Sequence, residues 1–404
     1  MDPILIIGSG LGGLALAQGF HKSSIPFRIY ERGLSHDLQF QGYRIRLHGD
    51  GLDALRSLLT DDIWDLFEET CPETVLGALP NINAVTGEAT AANFSGNDPQ
   101  GKIVHSAQKP YTADRAILRQ VLLTGLDDYI TYGIEYTHYS LTDSGITAHF
   151  ADGTKETGSL LIGADGVRSA VRRQHLPHLI VLDTKSRPIF GKTPLTPSFE
   201  SHILPKAMEC LSLIKDPQTG SVTLMEVIRF LPKDRRRDKR ELPSDYVYWA
   251  IIPSSLNAAI SDSQFDRLSN EAAAELSKAL IAHWHPSLRP LIEDQDTSQT
   301  GVFRLLSSDS KSLMRSWEPS ARVTLMGDAA HAMLPSTASG AVTALRDAQN
   351  LSGLIREYGV CKETIGRYEE DMRNYASEAV AISAKIGEMS FGLGALADAE
   401  EVIW

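Results

Sequence analysis

A chain of 404 residues has room for two or three domains, or for one large fold carrying an insertion. With 42% hydrophobic and 22% charged residues its composition is globular, which excludes disordered, collagenous and coiled-coil chains. Lys plus Arg (39) against Asp plus Glu (51) leaves a net charge of −12, so no overall cationic field draws nucleic acid or anionic lipid.

Cys71, Cys210 and Cys361 are far apart and form no CxxC, which points to reduced thiols and to neither a disulfide framework nor a zinc site. No histidine pattern has metal-ligand spacing, so no metal is expected. The N-terminal apolar run lacks a preceding basic region and breaks at Gly8, and no stretch approaches the ~18 apolar residues of a membrane span. A cytoplasmic protein with no membrane span in this chain is the expectation.

In chain order, Pro3–Ile7 is a continuous apolar, β-branched run of the kind a doubly buried parallel strand needs. Gly8-Ser9-Gly10-Leu11-Gly12-Gly13 ends it, Leu14–Lys22 has an approximately helical pattern, and Pro26–Glu31 reads as a second strand. Gly42–His48 alternates like a strand, which places Arg44, Arg46 and His48 on one face. Apolar residues recur at helical spacing from Asp50 to Glu69. Residues 80–112 look like antiparallel strands, Asp114–Leu123 like a helix, and 145–150 and 159–163 like strands. The middle, about 180–305, holds the alternating runs Ser221–Phe230 and Tyr246–Ile252 and suggests a separate sheet. Between them the basic run Arg235–Arg240 reads as a solvated hairpin loop. Arg322–Met326 is again a buried strand pattern, followed by helices over Ala341–Tyr358 and Lys362–Ile386.

Gly8-x-Gly10-x-x-Gly13 between a strand and a helix is a dinucleotide-binding fingerprint. Its first glycine permits the tight turn, the second lets a pyrophosphate approach the backbone, and the third allows close helix packing. Glu31, 18 residues beyond Gly13 at the end of the second strand, suits the acceptor of a ribose hydroxyl, with Leu11 and Arg32 counted beside these residues. The glycines alone do not distinguish NAD from FAD.

Two distant segments do. Leu161–Arg172, containing Asp165-Gly166, and Arg322–Pro335, containing Gly327-Asp328, resemble the DG and GD segments of the single-component FAD-dependent monooxygenases, the para-hydroxybenzoate hydroxylase-like or group A enzymes. The resemblance covers essentially the whole chain, and the Leu47-His48-x-x-Gly51 stretch is similar to tetracycline-degrading and fungal alkaloid monooxygenases. It implies an α/β fold: a Rossmann-like FAD-binding domain (GR2-type) over residues 1–75, 110–180 and 305–350, an inserted mixed β-sheet substrate domain over 76–109 and 181–304, and C-terminal helices over 351–404. The implied cofactor is tightly but non-covalently held FAD, with NADPH or NADH as transient reductant.

The same resemblance assigns Asp328 to the ribityl chain, Asp165 to a structural and nicotinamide-related role, and Arg115 to FAD; helical spacing puts Arg119 on the same face one turn later as a second candidate contact, the alternative for either arginine being a surface ion pair. It brings Arg44 or Arg46 past the flavin. His48 reads as a satisfied hydrogen-bonding histidine. After the GD segment the family continues P-x-x-G-x-G-x-N, whereas Ala338 stands here for the first glycine and Val342 for the asparagine. Gly340 and Ala341 remain as N–H donors toward the flavin, and Asp347 matches a structural aspartate.

The implied activity is oxygen insertion from O2, through a flavin hydroperoxide, into an electron-rich aromatic, indole or polyketide-type substrate. Alternatives are a non-catalytic FAD-binding or redox protein, or a flavin-dependent reductase or halogenase on the same fold. Met225, Arg229, Trp249 and Phe303 are the candidate substrate walls, at least half of them expected to be ordinary core. Arg187 and Arg229 could hold a phenolate or carboxylate, or lie at the surface.

Overall fold

Ile4–Ile7 is buried along its whole length, as a parallel strand covered on both faces must be. In our computed structural model, which describes residues 2–34, 43–77, 79–91, 109–142, 145–238, 241–253 and 261–404, this strand is the centre of a five-stranded parallel sheet. The order is Val323–Leu325, Leu160–Gly163, Ile4–Ile7, Phe27–Glu31, Ile130–Tyr132. The helix Leu11–Lys22 packs against Ser339–Tyr358. A small antiparallel sheet (Tyr136–Leu141, Ile146–Phe150, Lys155–Gly158) leans on the parallel one through Phe150, whose ring lies 4.8 Å from that of Tyr30.

A seven-stranded sheet stands beside it. Its order is Gly301–Val302, Ile189–Pro194, Tyr246–Ile252, Val222–Ile228, Ser212–Lys215, Pro80–Asn83, Ala89–Ala91, antiparallel except where Ser212–Lys215 meets Pro80–Asn83. Period-two alternation splits it into two faces. Met225, Val247, Trp249 and Ile251 pack with Phe199 and Trp284 in one apolar core. Ile228, Tyr246, Tyr248 and Ala250 turn the other way, toward Tyr43, Phe190 and Leu224. A two-stranded antiparallel ribbon, Arg44–Leu47 with Tyr111–Asp114, joins this second face to the parallel-sheet unit.

Several expectations are corrected. The helical pattern over 50–69 is two helices, Gly49–Leu58 and Asp61–Thr70, because Leu59 and Thr60 take extended backbone. Lys22 Nζ bonds the freed Ser57 and Leu59 carbonyls, and Asp61 and Asp62 favour a new helix start. A boundary at 350/351 would cut the continuous helix Ser339–Tyr358, and Glu400–Glu401 returns to pair with Val181–Asp183. The run starting at Arg235 is not simply solvated: Arg236 is buried, and the Arg237 and Asp238 N–H groups donate to Glu69. Lys239, Arg240, Gly42 and all of 92–108 lie outside the described residues. Among the described residues, no helix is long and apolar enough to cross a membrane.

Candidate functional site

The glycine turn follows the central strand. Gly8 has φ +106°, and a Cβ there would lie 2.4 Å from the Ala164 carbonyl oxygen; one on Gly13 would lie 2.3 Å from the Gly8 oxygen. Both are therefore packing glycines. Gly10 differs, since a Cβ on it would meet nothing within 4 Å, so the turn is open to a ligand at this residue, which immediately precedes the helix Leu11–Lys22.

Glu31 already helps to hold this turn. Its Oε2 accepts from Ser9 N (2.8 Å) and Ser9 Oγ (3.0 Å), and its Oε1 from Gly33 N (2.8 Å). Arg119 donates to Ser9 O (3.2 Å) and Ser9 Oγ (2.8 Å), so it reaches the fingerprint through a residue that sequence inspection passed over. Leu11 is half-buried and Arg32 exposed at the same end of the sheet. The Arg115 guanidinium lies 5.1 Å over the Tyr43 ring.

The DG and GD segments follow the next two strands, so three distant pieces of sequence meet at one sheet end. The Asp165 carboxylate is taken up in starting the helix Ala170–His175: it accepts from Ser169 Oγ (2.5 Å), Ala170 N (2.8 Å) and Val171 N (3.3 Å). Burial nevertheless pushes its carboxyl above the ordinary value. Arg172, 2% exposed, donates to the Val167 and Ala329 carbonyls and ties the two segments together. Asp328 is exposed between buried Gly327 and Ala329, free to meet a ligand. Gly340 and Ala341 are half-buried in the first turn of Ser339–Tyr358, and Ala338 ahead of them takes the left-handed φ of +55° that the family's glycine would adopt without strain.

Arg44 and Arg46 converge on Glu226, a sheet residue absent from the sequence candidates. Arg44 Nε lies 2.5 Å from Glu226 Oε2, Arg46 bonds the other oxygen, and all three side chains are largely buried. A reciprocal contact runs the opposite way. Asp114 Oδ1 caps the helix Arg115–Leu123, while its Oδ2 accepts from Lys192 Nζ (2.9 Å) and the Tyr246 hydroxyl (2.7 Å) of the sheet. Its position before an apolar helical run was the signal for the cap; nothing local pointed to Lys192. His48, expected to be satisfied, has a buried Nε2 with no hydrogen-bond partner among the described residues, and burial with the nearby Arg46 charge pushes its pKa down.

Of the substrate-side candidates, two are ordinary core, as expected of at least half the wall residues, and both arginines are paired. Met225 and Trp249 are fully buried on the sheet's core face, with Trp249 Nε1 donating to Thr193 Oγ1 (3.1 Å). The residues across the pleat, Leu224 or Glu226 and Tyr248, face the ribbon instead. Arg229 is a half-exposed arginine paired with Glu200 (2.5 Å). Arg187 is buried in ion pairs with Asp183 and Asp262 (both 2.8 Å), so neither arginine is free for an anionic substrate group. Phe303 is half-buried, its ring 5.7 Å from Phe190, which in turn lies 6.2 Å from Tyr43.

With this geometry in hand, comparisons with known proteins are specific. Residues 128–383 match the family described as "FAD binding domain". The chain is 34% identical over 96% of its length to the dual O-methyltransferase/FAD-dependent monooxygenase elcB of Phaeosphaeria nodorum, and it spans about half the length of that relative (44%). The FAD-dependent monooxygenase thnD of Trichoderma harzianum is 26% identical, with 94% of this chain and 91% of thnD covered. A solved structure from Photorhabdus luminescens, provisionally named as an FAD containing monooxygenase, superposes with a TM-score of 0.77 at 27% identity over 96% of this chain and 98% of that one. Klebsiella pneumoniae HpxO, solved with FAD and uric acid, shares the fold with a TM-score of 0.73 at 19% identity, over 96% and 89% of the two chains.

Proposed function

Because this chain belongs to the FAD-binding domain family, we propose that it is an NAD(P)H-dependent FAD monooxygenase that inserts one atom of O2 into an electron-rich aromatic, indole or polyketide-type substrate. The observation that carries the proposal is the meeting of the glycine turn, the DG segment and the GD segment at the ends of three neighbouring parallel strands. Ligands of open α/β sheets bind beyond such strand ends.

The residues present suit FAD. Gly10 and the following helix start leave room for a pyrophosphate, Glu31 offers carboxylate oxygens to a ribose, and exposed Asp328 offers its own to a ribityl hydroxyl. Arg119 supplies positive charge beside the turn, Arg115 supplies it over the Tyr43 ring, and the Gly340 and Ala341 N–H groups open a helix that can favour negative charge on the flavin. Bound FAD supplies the redox chemistry, and the protein binds, orients and excludes water.

The substrate lies, in this proposal, against Tyr43, Phe190, Leu224, Tyr248 and Phe303, half-buried or buried side chains that suit a planar ring system. The name of elcB joins oxygenation to O-methyl transfer. A ring bearing a free hydroxyl is substrate for both chemistries, since the hydroxyl accepts the methyl group and enriches the ring carbons in electrons.

Substrate-stimulated NADPH oxidation, measured over a panel of hydroxylated aromatics and polyketides, tests the proposal. Coupled product gaining one oxygen atom is expected. Flavin that NADPH fails to reduce with every compound would favour the second reading, a non-catalytic FAD-binding protein, for which Ala338 and Val342 at two family positions are the supporting observation.

A further inference from the structure

Asp347, fully buried on the helix Ser339–Tyr358, accepts three hydrogen bonds: from Gly327 N (2.7 Å), His331 Nε2 (2.6 Å) and the Tyr375 hydroxyl (2.6 Å). Gly327 has φ +58° and directly precedes Asp328, so the Asp347 bond to its N–H fixes the turn from which Asp328 is presented. A buried carboxylate of this kind requires a counter-charge. The other cations nearby are engaged elsewhere: Arg172 donates to the Val167 and Ala329 carbonyls, and Arg346 lies over the Tyr375 ring (4.1 Å) while pairing with Asp50.

We propose that Asp347 is a positioning residue for the cofactor, acting through an ion pair with protonated His331 that holds the Gly327–Asp328 turn in its FAD-binding form. The groups facing His331 are Asp347, Asp328 on its own helix, and, beyond Asp347, the phenols Tyr368 and Tyr375. Burial pushes the His331 pKa down, but the Asp347 charge and hydrogen bond, with Asp328, outweigh it and leave it above the ordinary value. Burial beside Asp347 also raises both phenols, which stay neutral, so His331 is the group that titrates. Its Nδ1 has no partner among the described residues, so loss of that proton gives up the charge pair without gaining a bond. Tyr375 is only half-buried and lines an open polar groove with Arg346 and Asp371, which gives the pair a route for proton exchange with solvent.

The inference rests on the FAD assignment and on Asp328, and is tested by FAD binding alone, without NADPH, substrate or turnover, so a failure of oxygen insertion leaves it standing. Dissociation constants of FAD for the apoprotein are measured from pH 6 to 8.5 by flavin fluorescence. For the wild type, affinity should fall at least about threefold as His331 deprotonates. Asp347→Asn should weaken FAD about tenfold, the scale of one charge-assisted hydrogen bond. His331→Gln, which keeps a donor but no charge, should bind more weakly at pH 6 and show a flat profile. If Asp347→Asn does not fold, His331→Gln decides. A flat wild-type profile superimposable on that of His331→Gln overturns the inference, as does a folded Asp347→Asn protein with wild-type affinity.

Discussion

Val342 fills the space that a side chain on Gly51 would need: a Cβ on Gly51 would lie 2.8 Å from the Val342 Cα and Cγ1. The valine that replaces the family's asparagine thus packs the helix Ser339–Tyr358 onto Gly49–Leu58. Gly51→Ala gains up to about 1 kcal/mol of helix propensity, but overpacking against a backbone atom costs about 1–3 kcal/mol. A net loss of about 1 kcal/mol is expected in urea unfolding. A variant as stable as wild type would show that the two helices separate cheaply.

Ala338 carries the opposite signature, a side chain where the backbone favours none, at φ +55°. The left-handed conformation costs a non-glycine residue about 1–2 kcal/mol, partly offset by the greater freedom of glycine when unfolded. Ala338→Gly should therefore raise stability by about 0.5–1 kcal/mol, read as a higher thermal midpoint. Unchanged or lower stability would count against strain at this turn.

Glu226 neutralises two arginines from another element in a nearly dry contact. Removing one member of a buried ion pair costs about 3–5 kcal/mol because the remaining charge stays uncompensated. Glu226→Gln should lose about 3 kcal/mol or more in denaturant titration, and Arg44→Met combined with Glu226→Gln should lose less than the sum of the single changes. Additive losses would mean that the three side chains act independently.

Asp328→Ala should leave apoprotein stability within about 0.5 kcal/mol, because the carboxylate is exposed. FAD affinity should fall about tenfold, as a ribityl hydroxyl loses a charged acceptor. Protein that remains fully yellow after dialysis would remove Asp328 from the cofactor site.

Glu369 is a pH-dependent liability. Burial pushes its carboxyl up to about 7 despite hydrogen bonds from Thr324 Oγ1 (2.9 Å) and Trp317 Nε1 (2.8 Å). The folded state then holds a proton that the unfolded state releases near pH 4.5, so this group's contribution favours folding less and less between about pH 4.5 and 7, and is constant above. The decline is worth up to about 3 kcal/mol. Glu369→Gln should flatten that part of the stability profile; an unaltered slope would assign it to other groups.

Much of the cofactor side was legible in the chain itself. A strand buried on both faces must be continuously apolar, and a turn that brings Gly8 against the Ala164 carbonyl admits no side chain, so the fingerprint and its neighbouring helix could be placed from residues a few positions apart. The helix after Asp114 was similarly local, although Asp114 itself is its cap and not its first residue. The substrate side was not. All seven residues of Tyr246–Ile252 are buried, so the sequence offers no polar face to set their direction, and it could not tell that Met225 and Trp249 would face the sheet's apolar core.

The sequence by itself determined the periodicities, the glycine turn and the family motifs, because each depends on neighbours within one strand, turn or helix. Only the tertiary structure decided that Glu226 would meet Arg44 and Arg46, that Asp114 would reach Lys192, and that Asp347 would hold Gly327. These partners come from separate elements, and a buried charge finds its counter-charge through the way whole elements stack, which local rules do not encode.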